Sequence, residues 1–305
     1  MKFQKVFTFL VATSILATPL AAQQAQVIQA AVNSGNAVQE NAEKRIRTSV
    51  RIKMRAQSIA ASVCHLQLGI DQAALHAPLD GQVAEFEQFV SALTVGDASL
   101  DIVEPETRRK TLHAASLITD SWTTFKPAVE KVAAGNGDTA DVDVIVAESL
   151  HVLEAGHDFT AELVQQYANP AQATFADLFT IVLATRQGML AQKMSKQACL
   201  ASYSGGDAAE NLGKTMKVFE STLEALRDGM PAAGIGKPPT KEIAAVLEKK
   251  VAQWAAVKPL LMEIQNGSQV SVEAQIDKMN KLDELMEAML EVSSLYVGYT
   301  MSKQN

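Results

Sequence analysis

Apolar residues recur along most of the chain at intervals of three and four, the spacing of one face of an α-helix. One such stripe consists of Phe86, Phe89, Val90 and Leu93, and another of Leu282, Leu285, Met286, Met289 and Leu290. Runs of β-branched residues with a strand-like alternation are few. The pattern therefore predicts a helical protein whose amphipathic helices need partners to cover their apolar faces.

Clusters of Gly, Pro, Asn and Asp divide each half of the sequence into four segments. They lie at residues 76–81, 96–105 and 135–138 in the first half, and at residues 204–207, 229–239 and 266–268 in the second. Asn169 and Pro170 separate the halves. Four amphipathic helices joined by short connections bury their stripes most simply as an up-down bundle. We expect an all-α fold of two tandem four-helix bundles.

The two halves also repeat each other in sequence. The motif Arg51-x-x-Met54-x-x-Gln57, followed by Cys64, recurs 135 residues later as Arg186-x-x-Met189-x-x-Gln192, followed by Cys199. Phe86-Glu87 recurs as Phe219-Glu220, and Trp122-x-x-x-Lys126-Pro127 recurs as Trp254-x-x-x-Lys258-Pro259. Because Trp and Cys occur only twice each, these matches indicate a duplication. We assign residues 23–168 to the first repeat and 169–305 to the second.

The N-terminus has the order of a secretory signal. Lys2 and Lys5 precede an apolar run over residues 6–16, and small residues follow up to Ala22. A membrane anchor is the alternative, although the run is short for the roughly 20 residues of a spanning helix. We expect a signal peptide at residues 1–22, with cleavage after Ala21 or Ala22, and a soluble periplasmic protein.

Charge and composition exclude several functions. The 305 residues carry 34 Asp and Glu against 27 Lys and Arg, a net charge of -7, which argues against a general nucleic-acid binder. The sequence has no phosphate loop, no nucleophile elbow and no dinucleotide fingerprint. Its five histidines show no paired metal spacing. We therefore expect no enzymatic activity, no cofactor and no metal.

Residues 185–196 resemble the signature helix of the type IV pilus methyl-accepting chemotaxis transducer N-terminal domain, which nitrate and nitrite sensor kinases share. The family pattern is close to Ala-Gly-Arg-Gln-Arg-Met-Leu-Ser-Gln-Arg. It is matched by Arg186, Gln187, Met189, Leu190 and Gln192, and the first repeat keeps Arg51, Met54 and Gln57. The resemblance implies a periplasmic helical bundle that senses small molecules. In the nitrate sensors an anion binds between two signature helices across a dimer.

That resemblance implies that one chain contains what relatives assemble from two, with the signature helices parallel about a pseudo-twofold axis. Cys64 would then approach Cys199, and an oxidising compartment favours a disulfide over two free thiols. Arg51 and Arg186 would face each other with an anion between them; alternatively, each pairs with a local acid or reaches solvent. The candidate ligand-binding residues are Arg51, Lys53, Gln57, Arg186 and Gln192.

The sequence departs from the family at one position. The arginine that contacts nitrate in the sensor kinases immediately precedes the Met, and Lys53 and Gly188 stand there in this chain. Nitrate, another anion, a different small ligand and no ligand all remain open. We expect a sensory or small-ligand-binding protein that signals through a membrane-bound partner. A structural or adaptor bundle that has lost the ligand site is the alternative, and an enzyme or electron carrier a third.

Overall fold

The computed structural model of the chain describes the backbone of residues 19–70, 72–167 and 175–303, with side chains from residue 41 onward except those of residues 72–78, 175, 203–204 and 301. Eight α-helices occupy these ranges: α1 (Pro19–Gln67), α2 (Gln72–Val95), α3 (Arg109–Ala133), α4 (Thr139–Tyr167), α5 (Phe175–Ser204), α6 (Asp207–Asp228), α7 (Lys241–Gln265) and α8 (Val272–Ser302). Residues 1–18, which hold most of the expected signal peptide, lie outside the described residues.

Residues 41–305 form one compact unit that contains both repeats, and residues 1–40 form a second unit, whose described part is helical from Pro19. The described ranges contain no β-strand, only the isolated bridges Asp97–Ile102 and Met230–Ile235. The all-α fold is confirmed. The part of α1 from residue 41 onward forms one four-helix bundle with α2–α4, and α5–α8 form the other.

Each bundle has its own apolar core. Phe86, Phe89, Phe125 and Phe159 are buried in the first, and Phe219, Trp254, Leu261 and Leu285 are buried in the second. Burial of such large side chains is the main force that holds amphipathic helices together. The apolar stripes read from the sequence are therefore the surfaces along which the helices pack.

The loops that follow α2 and α6 repeat each other in backbone detail. Each is closed by one of the two β-bridges, and the bridged residues are 133 positions apart. Gly96 and Gly229 have φ angles of 90° and 82°, and Asp101 and Gly234 have φ angles of 55° and 73°. The duplication thus preserves the left-handed turn conformations as well as the helices.

The repeated Glu and Trp-x-x-x-Lys motifs form equivalent triads on the bundle surfaces. Glu87 Oε1 accepts hydrogen bonds from Trp122 Nε1 at 3.0 Å and from Lys126 Nζ at 2.7 Å. In the second repeat, Glu220 Oε1 accepts from Trp254 Nε1 at 3.2 Å and from Lys258 Nζ at 2.5 Å. These residues therefore recur because each triad ties the third helix of a bundle to the second.

Helices α1 and α5 run parallel at the junction of the two bundles. Ser58 Oγ donates a hydrogen bond to Gln192 Oε1 at 2.7 Å, and Cys64 forms a disulfide with Cys199, with Cα atoms 6.1 Å apart. Nearer the start of the signature motifs, Met54 packs beside Gly188. Because the paired positions advance together along both helices, the parallel arrangement about a pseudo-twofold axis is confirmed, and so is the disulfide.

Candidate functional site

The two signature arginines occupy different surroundings, and Arg51 lies in the more crowded one. Its guanidinium carbon is 4.3 Å from the centre of the Phe89 ring, a cation–π contact. Burial lowers the pKa of Arg51, and the charge of Arg55 lowers it further, whereas Glu85 and Glu287 oppose the shift. Arg51 is thus held by an aromatic platform among charges of both signs.

Acidic side chains neutralise the neighbours of Arg51. Arg55 forms an ion pair with Glu85 of α2, and Arg47 pairs with Glu43 at 3.1 Å. Arg47 and Arg55 each lie four residues, about one helical turn, from Arg51 along α1. This part of α1 therefore has little unbalanced positive charge.

Arg186 occupies the equivalent position on α5 without such partners. Its buried Nε, like that of Arg51, has no acceptor among the described residues, but the described residues give Arg186 neither an aromatic contact nor an ion pair. Its positive charge acts instead on Lys53, His157 and Lys193 and lowers the pKa of each of them. Arg186 thus lies among other cations.

Lys53 reaches this region from α1. Its Nζ donates to Thr160 Oγ1 at 3.0 Å, and its stem passes over Gly156 of α4, where a Cβ would lie 2.5 Å from Lys53 Cγ. Burial, followed by the charge of Arg186, lowers the pKa of Lys53 to about 7. Near neutral pH the amine is therefore poised between its charged and neutral forms.

Lys193 and Lys196 add charge from the same helix as Arg186. Lys193 is half-buried, and burial followed by the charge of Arg186 lowers its pKa. Lys196 is fully buried, donates to Ser149 Oγ of α4 at 2.9 Å, and has its pKa lowered to about 7 by burial and by Lys193. A bound anion would therefore stabilise the charged forms of both lysines.

His157 lies at the solvent side of this group. Although its side chain reaches the surface, partial desolvation, followed by the charges of Lys53 and Arg186, lowers its pKa to about 4. Asp158 is the acid that opposes this shift. We call Lys53, His157, Arg186, Lys193 and Lys196 the cationic cluster. At neutral pH the lowered pKa values of Lys53, His157 and Lys196 reduce the charge of this cluster, which a bound anion would restore at Lys53 and Lys196.

Three sequence differences, two of them outside the signature helix, account for the asymmetry. At the spacings of the duplication, Phe89 of the first repeat corresponds to Thr222, and Glu85 corresponds to Val218. Arg55 itself is replaced by Leu190. The second repeat therefore lacks both the aromatic platform and the ion pair that surround Arg51.

The two candidate glutamines act as links between helices. Gln57 Nε2 donates to the backbone oxygen of Ser149 at 2.8 Å. Gln192 accepts from Ser58 and donates to Asp283 Oδ1 of α8 at 2.7 Å. Both side chains are buried. They position the signature helices against α4 and α8.

Of the five candidate ligand-binding residues, the structure brings Lys53 and Arg186 together. The charges that act most strongly on Arg51 come from the first repeat and from α8, and Arg186 acts on the cationic cluster. A Cβ at Gly188 would be in ordinary van der Waals contact with Met54 Sδ at 3.5 Å and with the Met286 oxygen at 3.4 Å, so this position faces α1 and α8. Arg51 and Gly188 are therefore not part of the cationic cluster.

Sequence reasoning missed His157, Lys193 and Lys196. Lys193 follows Arg186 by seven residues, which places both on one face of an α-helix at 100° per residue. That periodicity was a usable signal, whereas nothing in the sequence placed His157 of α4 beside them. Among the described residues no three His, Cys, Asp or Glu side chains are grouped to hold a metal ion.

A family model described as the type IV pili methyl-accepting chemotaxis transducer N-terminal domain (PilJ) matches residues 36–147 and 180–285. The two matched segments fall in the two bundles, one in each. No curated protein matches the chain. Within the part of the chain that the structure describes, no helix is long and apolar enough to span a membrane.

Proposed function

Because the chain belongs to the family of type IV pili methyl-accepting chemotaxis transducer N-terminal domains, we propose that it is an exported sensory protein that binds a small anion at the cationic cluster. The observation that carries this proposal is the setting of Arg186, a half-buried guanidinium whose charge acts on Lys53 and Lys193 and which forms no ion pair with a described residue. Like charges confined to a partly buried site repel each other unless a counter-ion lies between them.

The geometry supports a small anion held between α5, α1 and α4. Arg186 offers a planar fork of N–H donors, which suits an oxyanion or a carboxylate. Lys53 and Lys193 supply point charges, and Thr160 holds the Lys53 amine in place. In this proposal the duplicated chain supplies both signature helices itself, and bound anion draws α1, α4 and α5 together.

Signal transfer is the second part of the proposal. Bound anion would change how α4 and α5 pack at the junction of the repeats, and a membrane-bound signalling protein would read that change. The family supports this role, since it is described as the N-terminal domain of a chemotaxis transducer. No catalytic role is proposed for any residue.

An adaptor bundle without a ligand is the alternative, and the observation that favours it is Gly188. Its place is taken up by Met54 and Met286, so the second repeat offers no cation at that position of the signature motif. In this alternative the cationic cluster binds only water and the bundle serves as a docking scaffold.

Calorimetric titration of the full chain with nitrate, nitrite, sulfate and small carboxylates distinguishes the anion-binding sensor from the adaptor without a ligand. We expect one anion per chain to bind, and we expect the double variant Arg186→Ala plus Lys193→Ala to lose that binding. Lys214→Ala is the matched control, because Lys214 pairs with Glu210 at 2.5 Å on the exposed face of α6. Absence of heat with every anion would favour the adaptor.

A further inference from the structure

A cavity of about 290 Å³ opens in the second bundle, at the end opposite its disulfide. It lies between the start of α5, the loop after α6 and the end of α8. Thr180, Tyr296 and Thr300 form its buried floor, and Lys237 and Lys303 stand at its exposed rim. The cavity thus has a sheltered interior and charged groups at its mouth.

The equivalent place in the first bundle is filled by the chain itself. Arg45 lies 4.0 Å from Glu106, and both side chains are 1% exposed. The Arg45 guanidinium carbon lies 5.2 Å from the centre of the Tyr167 ring. Arg45 also donates to the backbone oxygens of Leu93 and Glu104. A guanidinium, a carboxylate and a phenol therefore form a buried plug under the loop after α2.

The second repeat keeps the helices and the loop that surround this plug but replaces the three side chains that form it. At the 135-residue spacing of the signature helices, Arg45 corresponds to Thr180. At the 133-residue spacing of the loops, Glu106 corresponds to Pro239 and Tyr167 corresponds to Thr300. Thr180, Pro239 and Thr300 all line the cavity. The cavity is thus the space left by an arginine, a glutamate and a tyrosine.

The groups that remain around the cavity carry both signs of charge. Asp177 Oδ1 accepts a hydrogen bond from Lys303 Nζ at 2.8 Å, and the same Nζ lies 4.6 Å from the centre of the Tyr299 ring. A cation beside a carboxylate and over an aromatic ring is the arrangement that Arg45 has in the first bundle. Lys237 adds a second positive charge at the rim.

We propose that this cavity binds a free amino acid. The ammonium group would pair with Asp177, as Lys303 does, and the carboxylate would be held by Lys237 and Lys303. The side chain would extend between Tyr296 and Tyr299 into the space that the first repeat fills. The ligand thereby replaces the cation and the carboxylate that the second repeat has lost.

This site is separate from the cationic cluster. Thr180 and Arg186 are six residues apart on α5, which places them roughly 9 Å apart along the helix and about 120° apart around it. Binding of an amino acid at the cavity and binding of an anion at Arg186 can therefore be lost independently.

The test is calorimetric titration of the full-length Arg186→Ala variant, which lacks the proposed anion site, with the twenty amino acids. We expect at least one of them to bind with one site per chain. For that amino acid, the decarboxylated amine and the acid without the amino group should each bind about tenfold more weakly or worse, because each lacks one charged contact. Equal binding of either analogue, or no binding by any amino acid, would overturn the proposal.

Two sets of variants locate the site. Thr180→Arg with Pro239→Glu restores the plug of the first repeat, and we expect it to abolish binding while the melting temperature stays the same or rises. Asp177→Asn should weaken binding about tenfold or more even if the filled variant fails to fold. Glu210→Gln, on the exposed face of α6, is the control. Binding that survives both Asp177→Asn and the filled cavity contradicts the proposal.

Arg186→Ala distinguishes this site from the anion site. Amino-acid binding should persist in this variant, and nitrate or carboxylate binding should disappear. If wild-type protein binds amino acids but no inorganic anion, the proposed anion site fails and the cavity proposal stands. If it binds an inorganic anion but no amino acid, the cavity proposal fails and the anion site stands.

Discussion

The two signature helices begin with the same arginine and place it in opposite electrostatic surroundings. Arg51 lies over Phe89, beside the ion pair of Arg55 and Glu85. Arg186 has no partner among the described residues and shares its environment with several cations. The duplication therefore preserved the signature helix but not the balance of charges around its arginine.

The same contrast recurs at the far end of the bundles. The first repeat buries Arg45 and Glu106 together, whereas the second has a cavity at the corresponding positions. In both places the first repeat places an aromatic ring and an acidic side chain near its arginine, and the second repeat leaves space or unbalanced charge. The comparison suggests a division of work in which the first bundle provides stability and the second provides binding.

Removing the disulfide should produce the largest effect, because it joins the two repeats across 135 residues. We expect Cys64→Ser with Cys199→Ser to lower the free energy of unfolding by about 3–5 kcal/mol, as loop-closure entropy predicts. Urea denaturation measures this loss. A reductant should lower the stability of the wild type and leave the double variant unchanged; equal stability of the two proteins would show that the bridge does not hold the repeats together.

Loss of the Arg45 side chain should have the second-largest effect on stability, and it should affect the first repeat more than the equivalent change affects the second. Arg45→Ala leaves Glu106 buried without its cation and should cost about 3–5 kcal/mol of unfolding free energy. The equivalent change in the second repeat, Thr180→Ala, should cost less than about 1 kcal/mol, because the Thr180 hydroxyl donates to the Ala176 backbone oxygen of its own helix. Thermal unfolding of both variants makes the comparison, and equal losses would contradict it.

Anion affinity should depend on pH through Lys53. Its pKa of about 7 means that the free protein loses this charge as the pH rises through 7, whereas bound anion favours the protonated amine. Affinity should therefore be flat below pH 7 and fall by up to about tenfold per pH unit above it, with one proton taken up per anion. The lowered pKa values of Lys193 and Lys196 act in the same direction, in addition to this contribution from Lys53.

Calorimetry in buffers of different ionisation enthalpy measures that proton uptake. Lys53→Met should bind more weakly and lose part of the dependence on pH. Lys214→Met, on the exposed face of α6, should leave both unchanged. Affinity that rises between pH 7 and 9 would contradict the role of Lys53.

The surface triads should show the smallest effect and no asymmetry. Glu87→Gln and Glu220→Gln each weaken one exposed ion pair and one Trp hydrogen bond. Solvent screening limits each loss to less than about 1 kcal/mol. Chemical denaturation should give the same small change for both variants. A loss in one repeat several times that in the other would show that the triads are not equivalent.

The fold was largely predictable because it depends on what the repeats share. Helical periodicity predicted the eight helices, and the matching positions of Cys64 and Cys199 predicted the bridge. The candidate site was less predictable because it depends on where the repeats differ. Thr222 and Val218 lie on α6, more than thirty residues after Arg186. The loss of the Phe89 ring and of the Glu85 carboxylate matters to Arg186 only because α6 packs against α5, which the sequence does not show.

The most direct test of the difference between the repeats is anion binding by the matched variants Arg51→Gln and Arg186→Gln. Each substitution removes one guanidinium from the same position of a signature helix. Titration calorimetry with the tightest-binding anion should show that Arg186→Gln abolishes binding and that Arg51→Gln retains wild-type affinity within a few-fold. Equal loss in the two variants, or loss in Arg51→Gln alone, would contradict the assignment of binding to the second repeat.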